Sequence, residues 1–138
     1  MFTSEKTQMA TQRQGVLLVR NVTLAHDEFL DHALAAVGDV ANATWSVPGL
    51  VEISAAGVTK ASALTGLCAR LGVAACDVVA FGDMPNDIPM LAWAGTSYAV
   101  ANAHESVLAL VDRVAPPCSE EGVAQVLDTL LADVDGST

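Results

Sequence analysis

From Gly57 onward, apolar runs of strand length alternate with segments of helical periodicity, and this pattern narrows the available folds more than any other feature. Leu64, Leu67, Cys68 and Leu71 fall on one helical face closed by Gly72. The unbroken apolar run Val78-Val79-Ala80-Phe81 then ends at Gly82. Ile88, Met90, Leu91 and Ala94 predict a second helix stopping at Gly95, and Ser97 to Val100 a second strand. Val107 to Val111 suit a further helix and Arg113 to Ala115 a third strand, before Pro116-Pro117 interrupts the chain. Val123, Val126, Leu127, Leu130 and Leu131 predict a final amphipathic helix, with Ser119 as its N-cap and Glu120 and Glu121 in its first turn. Strands alternating with helices predict an α/β fold, a parallel sheet with crossover helices.

The preceding stretch reads differently. Residues 1–14 lack apolar periodicity and are expected to be a flexible tail. Val16 to Val19 predict a strand, and Phe29, Leu30, Ala33, Leu34 and Val37 predict a helix ending at Gly38. Ala43 to Val47 and Leu50 to Ile53 predict a hairpin turning at Pro48-Gly49. The expected organisation is a tail over 1–14, a β-α-β-β unit over 15–55, the parallel-sheet unit over 56–133 and a tail over 134–138. With 138 residues, the chain has room for one compact unit rather than a complete two-domain enzyme.

Charge and cysteine content exclude several classes. The formal net charge of −10, with six Lys and Arg in all, opposes nucleic acid and anionic membrane surfaces as partners. A hydrophobic fraction of 52% argues against disorder. Cys68, Cys76 and Cys118 form no C-x-x-C pair and no zinc-ligand spacing, so buried free thiols in a reducing cytoplasm are expected. No apolar run has membrane-helix length.

The chemistry-bearing segment is Gly82-Asp83-Met84-Pro85-Asn86-Asp87, where an apolar strand gives way to a helix. Ligands bind at the carboxyl ends of strands in open parallel sheets. Asp83, Asp87 and the Asn86 amide form an all-oxygen set suited to a hard cation such as Mg²⁺, although a polar turn with a helix cap has the same composition. Lys60, after Gly57-Val58-Thr59, opens a helix where an ammonium can neutralise a phosphoryl group, or can simply be solvated. His26, His32 and His104 lie apart from this cluster in sequence, and Trp45 and Trp93 suit packing.

The ordered series Glu52-Ile53, Gly57-Val58-Thr59-Lys60, Gly82-Asp83-Met84-Pro85-Asn86-Asp87-Ile88-Pro89-Met90-Leu91, Ala99-Val100-Ala101-Asn102-Ala103 and Glu121-Gly122-Val123-Ala124 resembles the C-terminal half of a Cof-type phosphatase of the haloacid dehalogenase superfamily. The resemblance implies part of a Rossmann-like core preceded by a cap remnant. It also implies Mg²⁺-dependent hydrolysis of a small phosphorylated metabolite through an aspartyl-phosphate. Lys60 resembles the catalytic lysine, Asp83 the principal metal ligand and Asp87 a second ligand, direct or through water. Asn86 stands where an amide orients ligand or phosphate, and Asn102 is either a substrate contact or the cap of the next helix. Met84 replaces a glycine frequent in the family.

The family's opening Asp-x-Asp-Gly-Thr segment, which carries the nucleophile, has no counterpart before Lys60. Asp133-Val134-Asp135-Gly136-Ser137-Thr138 resembles it at the opposite end, but follows a helical pattern rather than a strand. The expectation is a truncated portion, inactive alone, with Val78 to Phe81 exposed as a sheet edge prone to self-association. The alternatives are a half-enzyme completed by a partner chain and a non-catalytic interaction module.

Overall fold

A computed structural model describes residues 7–13 and 15–135, arranged as two sheets with five helices. The first sheet is antiparallel, in the order β1-β2-β4-β3, formed by β1 (Thr7–Arg13), β2 (Val16–Asn21), β3 (Ala41–Val47) and β4 (Leu50–Ala55). Helix α1 (His26–Val37) connects β2 to β3 and packs on β3 with Phe29 buried. The predicted β-α-β-β unit is present, with its hairpin at residues 48–49.

One expectation needs correction. Residues 7–13 of the supposed tail are a strand, antiparallel to β2, with Thr7 opposite Asn21 and Ala10 opposite Leu18. The outer edge of β2 leaves backbone donors and acceptors that a neighbouring strand satisfies without apolar periodicity of its own. The rest of the tail, residues 1–6 and 14, lies outside the described residues.

Strand register decides which side chains meet. Val19 opposes Val51, and Leu17 opposes Ile53. Leu18 and Thr44 oppose Glu52, while Val16 and Asn42 oppose Ser54. Because side chains alternate across a strand, the first set shares one face with the fully buried Val51 and the second shares the other. The second face is the polar one.

The second sheet is parallel, in the order β5-β6-β7, formed by β5 (Val79–Gly82), β6 (Thr96–Val100) and β7 (Arg113–Ala115). Helices α2 (Lys60–Leu71), α3 (Ile88–Trp93), α4 (Glu105–Leu108) and α5 (Gly122–Asp135) accompany it. Helix α2 starts with a capping box between Thr59 and Ser62 and ends at Gly72, which takes the left-handed conformation with φ 70°. The core joins Ala80 of β5, Leu91 of α3, Ala99 of β6, Val107 of α4 and Val111, with Ile88 and Met90 packed against them. Across the opposite face, Phe81 stacks on Tyr98 with centroids 5.2 Å apart, and the Arg113 guanidinium lies 5.8 Å from the Tyr98 ring.

Three local expectations differ from what folds. Helix α5 begins at Gly122, so Ser119 is not its N-cap; Cys118–Glu120 form a 3-10 turn, and Glu121 follows at φ 57°. The cause is steric, because a Cβ at residue 122 would lie 1.8 Å from the Pro116 carbonyl oxygen, and only glycine lets the chain cross there. Helix α5 also continues through Asp135, placing Asp133 and Asp135 on a helix; residues 136–138 lie outside the described residues. All three cysteines are free, but Cys76 and Cys118 are exposed and only Cys68 is buried. Among the described residues no helix is long and apolar enough to cross a membrane.

Candidate active site

Strand β5 ends at Gly82, and the chain turns through Pro85–Asp87 into α3. The turn folds tightly back on the strand. A Cβ at Gly82 would sit 2.7 Å from the Asp87 Cβ and 2.9 Å from a Leu91 methyl, so only a bare backbone admits this approach. The approach buries Asp87 to 4% exposure. Its Oδ2 accepts hydrogen bonds from the backbone N–H groups of Asp83 at 3.1 Å and Met84 at 3.2 Å. Its Oδ1 accepts from Lys60 Nζ at 2.5 Å.

Lys60 occupies the first turn of α2, where its charge opposes the helix dipole and gains nothing from it. Asp87 supplies the compensation, and the two residues, 27 positions apart in sequence, form one ion pair. Burial pushes the Asp87 carboxyl upward in pKa, but the Lys60 hydrogen bond, the two backbone donors and the Lys60 charge outweigh it. The group therefore rests below the ordinary carboxylate range and is ionised at neutral pH.

Asp83 is different. Its carboxylate is exposed at the tip of β5, while its carbonyl accepts from the His104 N–H at 2.8 Å. That bond brings His104 beside the strand tip despite its distance in sequence. Trp45 of β3 lies edge-on to both His26, at 4.3 Å, and His104, at 5.2 Å, so this ring packs between the antiparallel unit and the loop after β6.

A cleft of about 440 Å³ opens beside Lys60, between the polar face of the antiparallel sheet and the turn after β5. Asn86 lines it and donates from Nδ2 to Glu52 Oε2 at 3.4 Å, leaving its own Oδ1 buried without a partner among the described residues. Glu52 also accepts a hydrogen bond from the Ser46 hydroxyl. Sequence reasoning missed the role of Glu52 in the cleft, although Glu52 was part of the resemblance; its signal is a lone acid at an alternating position of β4.

Asn102 belongs elsewhere. Its Oδ1 accepts from the Cys118 N–H at 3.0 Å, tying the loop after β6 to the turn before α5, and it is not among the cleft-lining residues. The cap of α4 is His104, which accepts from the Ser106 N–H, so the reading of Asn102 as that cap is corrected.

The donor chemistry of this turn fits a hard divalent cation in part. Mg²⁺ takes one or two carboxylates, keeps several waters and accepts substrate oxygens. Asp83 presents an exposed carboxylate and Asn86 a buried oxygen lacking a partner, whereas the Asp87 oxygens are engaged by Lys60 and the backbone. Among the described residues no group of three or more His, Cys, Asp or Glu side chains is placed to hold a metal ion.

Comparison with known proteins gives a consistent answer. The chain is 46% identical over 78 residues to a phosphoglycolate phosphatase of Methanopyrus kandleri, covering 56% of this chain and 34% of that protein. It is 38% identical over 96 residues to the 5-amino-6-(5-phospho-D-ribitylamino)uracil phosphatase YbjI of Escherichia coli, covering 70% of this chain and 35% of that protein. The chain thus spans about a third of these two relatives. Its fold matches the crystal structure of SMU.1108c from Streptococcus mutans UA159 with a TM-score of 0.77 at 32% identity, over 85% of this chain and 44% of that one. The family profile of haloacid dehalogenase-like hydrolases matches residues 4–127, and the chain belongs to that family.

Proposed function

We propose that this chain forms the phosphate- and metal-binding part of a magnesium-dependent phosphate monoester hydrolase acting on a small cytoplasmic metabolite. The observation that carries the proposal is the Lys60–Asp87 pair at 2.5 Å, with Lys60 lining the cleft and the exposed Asp83 one turn before Asp87. A fixed ammonium beside an open carboxylate suits an anion that arrives with a divalent cation.

Asp83 would hold Mg²⁺ as its carboxylate ligand, and the cation would supply neutralisation of phosphoryl charge there. Asp87 acts from behind, holding Lys60 and the Asp83 and Met84 amides in position, and would serve the cation directly or through water. Lys60 faces the phosphoryl charge, and Asn86 orients the ester in the cleft. In the resembled chemistry an aspartate oxygen bonds to phosphorus, the ester oxygen leaves and takes a proton, and water then cleaves the aspartyl-phosphate. No Asp-x-Asp-Gly-Thr segment precedes Lys60, and Asp133 and Asp135 lie on α5, so we assign the nucleophile to residues outside this chain and expect the chain alone to be inactive.

The test is calorimetric binding of Mg²⁺ with inorganic phosphate to the purified chain, alongside aryl phosphate hydrolysis. Coupled binding that is lost in Asp83→Asn, without turnover, supports the proposal. Turnover by the chain alone would refute the inactivity, and binding unaffected by Asp83→Asn would refute the metal assignment.

A second reading has an observation of its own. Among the described residues, β5 pairs only with β6, leaving one backbone edge open with Val79 39% exposed. That edge suits a strand from a partner chain that completes the site, or a second copy of this chain. Sedimentation velocity checks the second copy: concentration-dependent association that Val79→Lys abolishes is expected, and a monomer at high concentration refutes self-association through this edge.

The names of the two phosphatase relatives carry a carboxylate-bearing ester and a polyol-bearing one.

A further inference from the structure

We infer that Glu52 is a specificity-determining residue that admits phosphate esters of neutral or cationic, donor-rich alcohols and rejects esters whose alcohol carries a carboxylate. The inference rests on the phosphate-binding role proposed for Lys60. Strand register points Glu52 to the polar face of the antiparallel sheet, flanked across the strands by Thr44 and, two positions on, by Ser54. All three line the cleft that opens beside Lys60.

Charge decides the selection. Among the described residues lining the cleft, Lys60 is the only cation and Glu52 the only acid. Lys60 is already matched by Asp87, so a phosphate there draws on a shared ammonium. A second anionic group further along the same ligand would meet Glu52 with no cation to offset it. An uncompensated like charge in a partly desolvated site is how a binding site discriminates against a competitor.

Hydrogen bonding favours the same class. One Glu52 oxygen accepts from the Ser46 hydroxyl and the other from Asn86 Nδ2 at 3.4 Å. A carboxylate accepts about four hydrogen bonds, so about two sites remain for hydroxyl or amino donors of a ligand. Both contacts hold the acid in place: Ser46 from the same hairpin, and Asn86 from the turn that also carries Asp87. The carboxylate is therefore fixed relative to the phosphate end of the cleft, and the distance between the two ends can be read by a ligand.

The experiment titrates the full chain, with Mg²⁺ present, with three probes: inorganic phosphate, ribitol 5-phosphate and 2-phosphoglycolate. Binding is followed by calorimetry in the unaltered protein, Glu52→Gln and Glu52→Lys, each first shown to be folded by circular dichroism. The unaltered chain is expected to bind ribitol 5-phosphate at least about tenfold more tightly than 2-phosphoglycolate, the scale of one unfavourable charge contact. Relative to inorganic phosphate measured in the same protein, Glu52→Gln should bring the two within about threefold and Glu52→Lys should reverse their order. A preference that survives both substitutions, or an unaltered chain that prefers 2-phosphoglycolate, overturns the role of Glu52 while leaving the phosphate site standing. Failure of inorganic phosphate to bind any of the three removes the phosphate site and this inference with it.

Discussion

Replacing Asp87 with alanine tests the site's architecture most directly, because three hydrogen bonds converge on one buried carboxylate. The substitution strands the partly buried Asp83 and Met84 N–H groups, each at a cost of about 1 kcal/mol. Loss of the ion pair adds about 0.5–1 kcal/mol, discounted because the Lys60 side chain is 50% exposed and screened by water. The expected total is about 3 kcal/mol, or about 10 °C in Tm for a chain of this size. Lys60→Met removes only the pair and leaves Asp87 with both backbone donors, so it should cost about 1 kcal/mol. Urea denaturation of the two single variants and the double variant measures both terms, and the cycle isolates their coupling. If Asp87→Ala cost less than about 1 kcal/mol, or if Lys60→Met matched it, the claim that Asp87 anchors the turn as well as the lysine would fail.

Two further outcomes follow from the same turn. Gly82→Ala should destabilise by about 2 kcal/mol, since its methyl would press 2.7 Å from the Asp87 Cβ, and a urea titration would show it as a lowered midpoint. Against the upward push of burial, the Lys60 and backbone hydrogen bonds hold the Asp87 carboxyl below the ordinary carboxylate range in the folded chain, so the unfolded state binds the proton more readily in acid. The stability it contributes is complete above about pH 5 and is lost progressively as pH falls through the unfolded and then the folded pKa. Asp87→Asn should flatten the slope of stability against pH in that acid window, and an unchanged slope would contradict the assignment.

Much of the α/β layout was legible in the sequence because Val78 to Phe81 is an unbroken apolar run of strand length beside helices of clear period. Asp83, Asn86 and Asp87 were singled out by residue type at a strand end and Lys60 by the resemblance, and the structure brings Lys60 against Asp87. Residues 7–13 were not, since an edge strand bound through backbone hydrogen bonds leaves little side-chain pattern. The start of α5 was misread because Ser119 carries a local capping signal that a close crossing at Pro116 overrides.

What the sequence determined by itself is therefore local: which runs become strands, which faces of helices are apolar, and which polar residues cluster at one strand tip. The tertiary structure decided the pairings across distance. It gave both Asp87 oxygens to Lys60 and the backbone, leaving Asp83 as the open carboxylate, and it drew Asn102 onto the Cys118 N–H. It turned Glu52 toward the turn after β5, where Asn86 meets it 34 residues away. Such contacts depend on strand register and on how closely two backbones approach, and neither quantity is carried by any single stretch of residues.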